Sequence, residues 1–194
     1  MPSDKLSQAY TLIDQTNTED PNKEEINNEL VAKELIYGKR MTDTLEKFKP
    51  NATEALKLAA RSQHICRWKI PRDHYPMDRV GYLKWREELK KFHAKKASEI
   101  LQTVGYSPEI IDRVSFLIQK KQLKKDEDTQ TLEDVICLVF LNFYYPEFLT
   151  KHTDDKIIDI LQKTWRKMSD KGHQAALQLS YSEKALKLIK KALL

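Results

Sequence analysis

Glycine and proline are scarce in this chain of 194 residues, which contains 4 glycines and 7 prolines. Folds made of many short strands need frequent turns, and glycine and proline are the residues that turns use most. Because 32 % of the residues are also charged, the composition favours long helices with solvated faces. No apolar run approaches the roughly 20 residues of a membrane span, so we expect no membrane partner.

Cysteine is equally rare, and the signatures of covalent chemistry are absent. Cys66 and Cys137 lie in separate apolar segments, so we expect reduced core thiols in a cytoplasmic protein. The sequence has no glycine-rich phosphate loop, nucleophile elbow or cysteine–histidine signature, which argues against ATP-driven and covalent mechanisms. The first residues also lack the basic-then-apolar pattern of a secretory signal, which agrees with a cytoplasmic location.

Apolar residues recur with helical spacing over most of the chain, and no segment alternates as a strand does. We therefore predict an all-α fold, a single-domain bundle of about 8–10 helices over residues 1–194. The polar residues 15–28 are predicted to form a loop. A second helix is predicted from about Glu29 to Phe48, and a third from Thr53 to about Trp68.

Charge is unevenly distributed along the sequence. Residues 1–60 carry 8 Lys/Arg and 11 Asp/Glu, a net charge of −3, whereas residues 61–194 carry 26 and 18, a net charge of +8. This balance suits an anionic partner, either a small phosphorylated ligand such as a nucleotide or RNA. The alternative is that the lysines form ordinary solvated helix faces. Trp68, Trp85 and Trp165 are expected in the core rather than stacked on bases.

Three metal-competent side chains, His64, His93 and Asp134, lie on otherwise apolar helical stripes. Asp134 is the sharpest case, because an interior carboxylate is costly unless a cation or hydrogen bonds satisfy it. Two histidines and a carboxylate suit a divalent ion (Mn, Fe, Mg or Zn) that keeps open positions for water. The alternative is that Asp134 pairs with an arginine such as Arg61, or that it caps a neighbouring helix.

Three arginines near the first histidine are suited to phosphate. Arg61 and Arg67 flank His64 on the predicted third helix, and Arg72 follows in a proline-bounded segment. A guanidinium group can donate two parallel hydrogen bonds to a phosphate. We therefore predict that Arg61, Arg67 and Arg72 bind a phosphate beside the metal.

Two glutamates are candidates for proton transfer in such a site. Glu133 precedes Asp134, and Glu34 lies early in the second helix on the same stripe as Tyr37. Glu34 is also a candidate fourth metal ligand. The alternative for Glu34 is an ordinary first-turn glutamate that the helix dipole favours.

Several longer motifs resemble domain-of-unknown-function family 4202 over about residues 6–193. These motifs are ELIYGKRM at 34–41, LAARSQHICRW at 58–68, IPR at 70–72, YPMDR at 75–79 and KTWRKMSD at 163–170. The family is uncharacterised, so the resemblance supplies no mechanism. Some members are attached to, or labelled as, glutamyl-tRNA synthetase-like proteins, which implies a link to RNA.

The order of segments is also similar to that of the HD-domain metal phosphohydrolases. On this resemblance Gln63 and His64 occupy the ligand places of the histidine–aspartate pair, with His93 on the auxiliary histidine helix and Asp134 on the final aspartate helix. Tyr37 stands where the first histidine would be expected. The resemblance implies an HD-like, divalent-metal-dependent phosphohydrolase acting on a nucleotide or other phosphate ester. The alternative is a non-catalytic helical module that binds RNA or protein and keeps a vestigial HD-like site.

Overall fold

The computed structural model describes residues 4–193, which are almost entirely helical. Helices account for 74 % of the chain, and the described residues form ten α-helices and one two-stranded hairpin. The prediction of an all-α fold with about 8–10 helices is therefore confirmed. Within residues 4–193, no helix has both the length and the apolar character that crossing a membrane requires.

The chain divides into two compact units, the first ending at Lys121 and the second beginning at Gln122. Within each unit the helices pack directly against one another. The assignment of residues 1–194 to one domain stays a prediction.

The described residues of the first unit form five α-helices, namely α1 Asp4–Thr18, α2 Lys33–Phe48, α3 Glu54–Ser62, α4 Arg79–Val104 and α5 Pro108–Ile118. α3 contacts α1, α2, α4 and α5, and α4 also packs on α1 and α5. Most of α3 is buried, including Leu56 and Leu58. A Cβ at Gly38 of α2 would lie 2.9 Å from the carbonyl oxygen of Arg61, so α2 and α3 meet backbone to backbone there.

Local side chains set the helix ends of the first unit. The hydroxyl of Thr53 accepts a hydrogen bond from the backbone N–H of Leu56 and so begins α3. The carboxylate of Asp78 accepts from the backbone N–H of Gly81 and begins α4 in the same way. α4 ends at Gly105, whose φ of 82° is the left-handed conformation common after helices.

A β-hairpin lies where a loop and a helix start were predicted. Strands β1 Lys23–Ile26 and β2 Glu29–Ala32 pair in antiparallel register across two asparagines with φ of 52° and 67°. Two left-handed residues form the turn that fits the twist of a hairpin, and asparagine tolerates this conformation. The predicted loop over residues 15–28 is therefore wrong, because α1 continues into it and β1 occupies part of the rest. The second helix begins after the hairpin rather than at Glu29.

The second unit, as far as residue 193, contains five α-helices and a π-helical turn, namely α6 Glu127–Val139, the turn Phe140–Tyr144, α7 Tyr145–Lys151, α8 Asp154–Lys167, α9 Asp170–Leu177 and α10 Glu183–Leu193. α10 packs on α8, while α6 contacts α8 and α9. The buried hydroxyl of Tyr145 donates to the carbonyl of Ala185 at 3.1 Å, which ties α7 to α10. Leu188 and Ile189 form the buried face of α10.

Asp134 on α6 caps the start of α9. Its Oδ1 accepts from the backbone N–H of Ser169 at 2.8 Å, and its Oδ2 accepts from the Ser169 hydroxyl at 2.6 Å. Gln130 also donates to Oδ1, and Asp134 is only 2 % exposed. A Cβ at Gly172 would lie 2.6 Å from Oδ1, so the carboxylate fits closely against α9. Of the alternatives that the sequence left open, capping of a neighbouring helix is the one observed.

We expect Asp134→Asn to lower the free energy of unfolding by about 1.5–3 kcal/mol, the usual cost of losing hydrogen bonds to a charged group. The reason is that an amide NH₂ cannot accept the hydrogen bond that Oδ2 accepts. Urea unfolding with and without added Mn²⁺ measures the loss. Asp170→Asn is the control, because the Asp170 side chain is fully exposed in the first turn of α9 and its change should have little effect. A variant as stable as the wild type would contradict the cap, and a loss seen only with Mn²⁺ would favour metal binding.

Candidate functional site

The segment after α3 turns back instead of continuing the helix. α3 ends at Ser62, Cys66 has φ 55° and ψ 26°, and a short 3-10 turn follows at Arg67–Lys69. Asn17 stabilises this turn, because its Oδ1 accepts from the backbone N–H of Cys66 at 3.1 Å. The prediction that the third helix reaches about Trp68 is wrong beyond Ser62, because the left-handed Cys66 breaks the helical path.

Asn17 and Asp20 also fix the backbone of Glu34 in the first turn of α2. Asn17 Nδ2 donates to the carbonyl of Glu34 at 3.4 Å, and Asp20 Oδ2 accepts from the backbone N–H of Glu34 at 3.1 Å. Both side chains are buried. Asn17 therefore links the start of α2 to the turn at Cys66.

Glu34, His64 and Arg67 form a charged group of side chains, called here the Glu34 cluster. Glu34 Oε2 lies 3.5 Å from His64 Nδ1, and Glu34 Oε1 lies 3.9 Å from Arg67 Nε. Arg67 Nη1 donates to His64 Nε2 at 3.5 Å. The His64 ring also stacks on Tyr37, with centroids 4.0 Å apart and planes 9° apart. The imidazole is thus held between a carboxylate, a guanidinium and a phenol ring.

Burial controls protonation in the Glu34 cluster. It raises the pKa of Glu34 to about 7, and the opposing effect of the Arg67 charge is smaller. Burial also lowers the pKa of His64 well below its usual value, and the charge of Arg67 lowers it further. Near neutral pH, Glu34 therefore exists in both forms while His64 is neutral. A carboxyl with a pKa near the working pH is suited to general acid–base catalysis.

His93 on α4 brings a second neutral imidazole to the cluster. It is 2 % exposed, and its ring centroid lies 5.8 Å from that of His64. Its Nδ1 donates to the carbonyl of Ile65 at 2.7 Å, so the lone pair is on Nε2, which has no hydrogen-bond partner within residues 4–193. Burial lowers the pKa of His93 to about 3. Nε2 is therefore available to a proton donor or a metal ion.

Arg86 on α4 adds a cation that was not predicted as a site residue. Its charge contributes to the lowered pKa values of His64, Arg67 and His93. Arg86 is partly buried and makes no hydrogen bond or ion pair with the part of the chain that the structure describes. The sequence could have indicated Arg86 as a site residue through its position seven residues before His93, because residues with this spacing share a helix face.

Two of the three arginines predicted to bind phosphate already have partners in the first unit. Arg61 donates to both oxygens of Asp14, at 2.8 and 2.5 Å, and to a buried threonine hydroxyl at 3.2 Å. Arg72 donates to three backbone carbonyls in the segment that follows it. Arg67, in contrast, joins the Glu34 cluster. Phosphate binding by Arg61 and Arg72 stays a prediction.

Glu133 and Asp134 belong to the second unit and have partners there. Glu133 is buried, and its Oε1 lies 3.9 Å from Nζ of Lys167. Both carboxylate oxygens of Asp134 accept hydrogen bonds from Ser169, which accounts for its burial without a metal ion. Catalysis by Glu133 and metal binding by Asp134 stay predictions.

The described residues contain no group of three or more His, Cys, Asp or Glu side chains that could hold a metal ion. Both nitrogens of His64 face charged partners, so Nε2 of His93 is the nitrogen open to a ligand. Joint binding of an ion by His64 and His93 therefore requires the His64 ring to turn away from Glu34 or Arg67.

Comparison with known proteins gives a family but no function. Residues 7–189 match the family described as Domain of unknown function (DUF4202). No curated protein and no solved structure matches the chain.

The raised pKa of Glu34 predicts how replacing it changes stability with pH. Between the usual value of 4.5 and the folded value of about 7, the folded state holds a proton that the unfolded state has released. Wild-type stability therefore falls through this range as pH rises. Glutamine does not titrate, so the free energy of unfolding of Glu34→Gln relative to wild type should rise by about 2–3 kcal/mol between pH 5 and pH 8.

Urea unfolding of both proteins at the two pH values measures this gain. Glu29→Gln, which removes an exposed glutamate from the hairpin, is the control for loss of a carboxylate elsewhere. An equal stability difference between Glu34→Gln and wild type at pH 5 and pH 8 would contradict a raised pKa.

Proposed function

The chain belongs to the family described as Domain of unknown function (DUF4202), and we propose that it is a phosphohydrolase acting on a nucleotide or other phosphate ester. In this proposal the Glu34 carboxyl is the acid–base group, and Arg67 and Arg86 bind the phosphate. We expect the reaction to take place in the cytoplasm.

The observation that carries this proposal is a cation without an anionic partner in the described part of the chain, Arg86, whose charge acts on His64, Arg67 and His93. Glu34 faces Arg67 at 3.9 Å, whereas Arg86 has no anionic partner among residues 4–193. A partly buried cation is stabilised when an anion meets it. A phosphate group would meet this need, because guanidinium groups bind it through charge-assisted hydrogen bonds.

Glu34 would serve as the general base. Its ionised form takes a proton from a water molecule while the water oxygen attacks phosphorus and the bond from phosphorus to the leaving oxygen breaks. The leaving oxygen then takes a proton from Glu34, so the products are phosphate and an alcohol. Arg67 and Arg86 stabilise the charge on the phosphoryl oxygens during this transfer. His64 positions the carboxyl through its contact with Oε2.

We also propose that the hydrolysis depends on a divalent metal ion and that the site is similar to that of the HD-domain enzymes. His93 would hold the ion through its open Nε2, with His64 and Glu34 as further donors. A bound divalent ion polarises phosphoryl oxygens and lowers the pKa of bound water. The remaining roles of the Glu34 cluster do not depend on it.

We expect protein purified without a chelator or a histidine tag to contain Mn, Fe, Mg or Zn, and we expect His93→Asn to remove it. The reason is that Asn lacks the ring nitrogen that is open in His93. Elemental analysis measures the metal, and His152→Asn is the control for loss of an exposed histidine. Full hydrolytic activity in metal-free protein would show that the Glu34 cluster acts alone.

The alternative function is binding of RNA or protein without catalysis. Trp85 is buried and donates to the carbonyl of Ile70 at 2.9 Å, and one face of Trp165 is covered by His173 at 4.6 Å. Rings with such partners are poorly placed to stack on bases. RNA binding would then rest on dispersed lysines and be weak and salt-dependent. These contacts favour hydrolysis over RNA binding as the function.

Phosphate release from nucleotides and simple phosphate esters tests the proposal directly. Glu34→Gln should lower kcat by about 10²–10⁴-fold, because it removes the general base. Arg86→Gln should lower kcat/KM by roughly 10–100-fold, because it removes a charge-assisted contact to the phosphate. Lys95→Gln is the matched control, since Lys95 is an exposed cation on the same helix.

Two results together would favour RNA binding over phosphate hydrolysis. One is absence of phosphate release from every ester tested, with each of the four metals. The other is tight binding of single-stranded RNA that persists at high salt in a fluorescence-anisotropy titration.

A further inference from the structure

One face of α4 leads from the Glu34 cluster to the surface. Tyr82, Arg86 and His93 share this face, because their spacings of four and seven residues are helical repeats. At 1.5 Å per residue, Arg86 lies about 6 Å along the helix from Tyr82 and about 10 Å from His93. His93 is buried, Arg86 is partly buried and Tyr82 is 45 % exposed. Tyr82 is therefore an exposed aromatic side chain one helical turn from Arg86, on the side away from His93.

Uncovered apolar side chains are concentrated at this end of α4. Of the nine large apolar side chains that are exposed among residues 4–193, four lie between positions 77 and 83. Met77, just before the helix, is 79 % exposed. Val80 points away from the Arg86 face by its helical spacing, whereas Leu83 lies three residues before Arg86 and borders that face. Tyr82 is the aromatic side chain of this group and lies one helical turn before Arg86.

Cations flank this aromatic surface on the side nearest the cluster. The Arg72 guanidinium is fixed by three backbone carbonyls and lies 5.9 Å from the ring centroids of both Tyr82 and Trp85. Arg67 of the Glu34 cluster lies 4.8 Å from the Trp85 ring. The Tyr82 and Trp85 rings are themselves 5.9 Å apart. A continuous series of cations and aromatic rings thus joins Arg67 of the Glu34 cluster to exposed Tyr82.

We propose that Tyr82 forms the subsite for the base of a nucleotide whose phosphate is bound by Arg67 and Arg86. This inference rests on the proposed function for the position of the phosphate. A flat base stacks on an aromatic ring, and a guanidinium beside the ring adds a cation–π contact. The thioether of Met77 offers an adaptable apolar contact at the rim. The substrate class is accordingly a nucleotide rather than a small aliphatic phosphate ester.

Calorimetric titration with AMP and with glycerol phosphate tests the subsite, because both ligands carry the same phosphate and only AMP carries a base. Tyr82→Ala should weaken AMP binding by roughly tenfold or more, the usual effect of losing one stacking partner. Tyr82→Phe should keep AMP binding within about twofold, because it retains the ring. Binding of glycerol phosphate should be the same in all three proteins. Val80→Ala is the control for loss of an exposed apolar residue near the start of the same helix, because Val80 faces away from Arg86.

The outcomes separate this inference from the proposed function. AMP binding that depends on Tyr82, without hydrolysis of either ester, supports the subsite and contradicts the phosphohydrolase. Hydrolysis of both esters with equal kcat/KM in wild type supports the phosphohydrolase and overturns the subsite, and this comparison needs no variant. Equal AMP affinity in wild type and correctly folded Tyr82→Ala, as judged by circular dichroism, also overturns the subsite.

Discussion

The buried amide of Asn17 is the interaction on which the candidate site depends. Its oxygen holds the backbone N–H of Cys66, and its nitrogen donates to the carbonyl of Glu34. The acid and the turn that carries the imidazole are distant in sequence, yet one side chain of α1 anchors both. Local propensity opposes this arrangement, because Cys66 must take a left-handed conformation that costs an L-residue about 1–2 kcal/mol. The site is therefore a product of tertiary structure.

The helical class and most helix positions could be predicted from the sequence, because apolar periodicity and capping residues are local signals. Thr53 and Asp78 start their helices as such residues normally do. The hairpin was missed because strands of four residues are too short to show alternation, and its signal lies in the two asparagines of the turn. The early end of α3 was missed because it depends on Asn17, whose position no local pattern reveals.

The site was predictable only in part, because charge partners are set by packing. His64, His93 and Glu34 were recognised as polar residues on apolar stripes, and the structure brings these three together. Asp134 gives the same sequence pattern but its carboxylate is satisfied by Ser169. Arg86 was not predicted because it lies in a lysine-rich helix, and the sequence does not show which of several cations faces a buried site. A polar residue on an otherwise apolar helix face is predicted to be buried, but this pattern does not show which group it contacts.

The contact between Gly38 and the backbone at Arg61 has a consequence for how such a site changes in evolution. Gly38 lies one turn beyond Glu34 on α2, and α3 leads directly into the turn that carries His64. A larger residue at position 38 would push α3 outwards and widen the gap between carboxyl and imidazole. The absence of a side chain at Gly38 thus sets the distance between α2 and α3 at this point. Substitution at position 38 would therefore change the geometry of the Glu34 cluster while Glu34, His64 and Arg67 were all retained, so evolution can alter this cluster through a helix contact outside it.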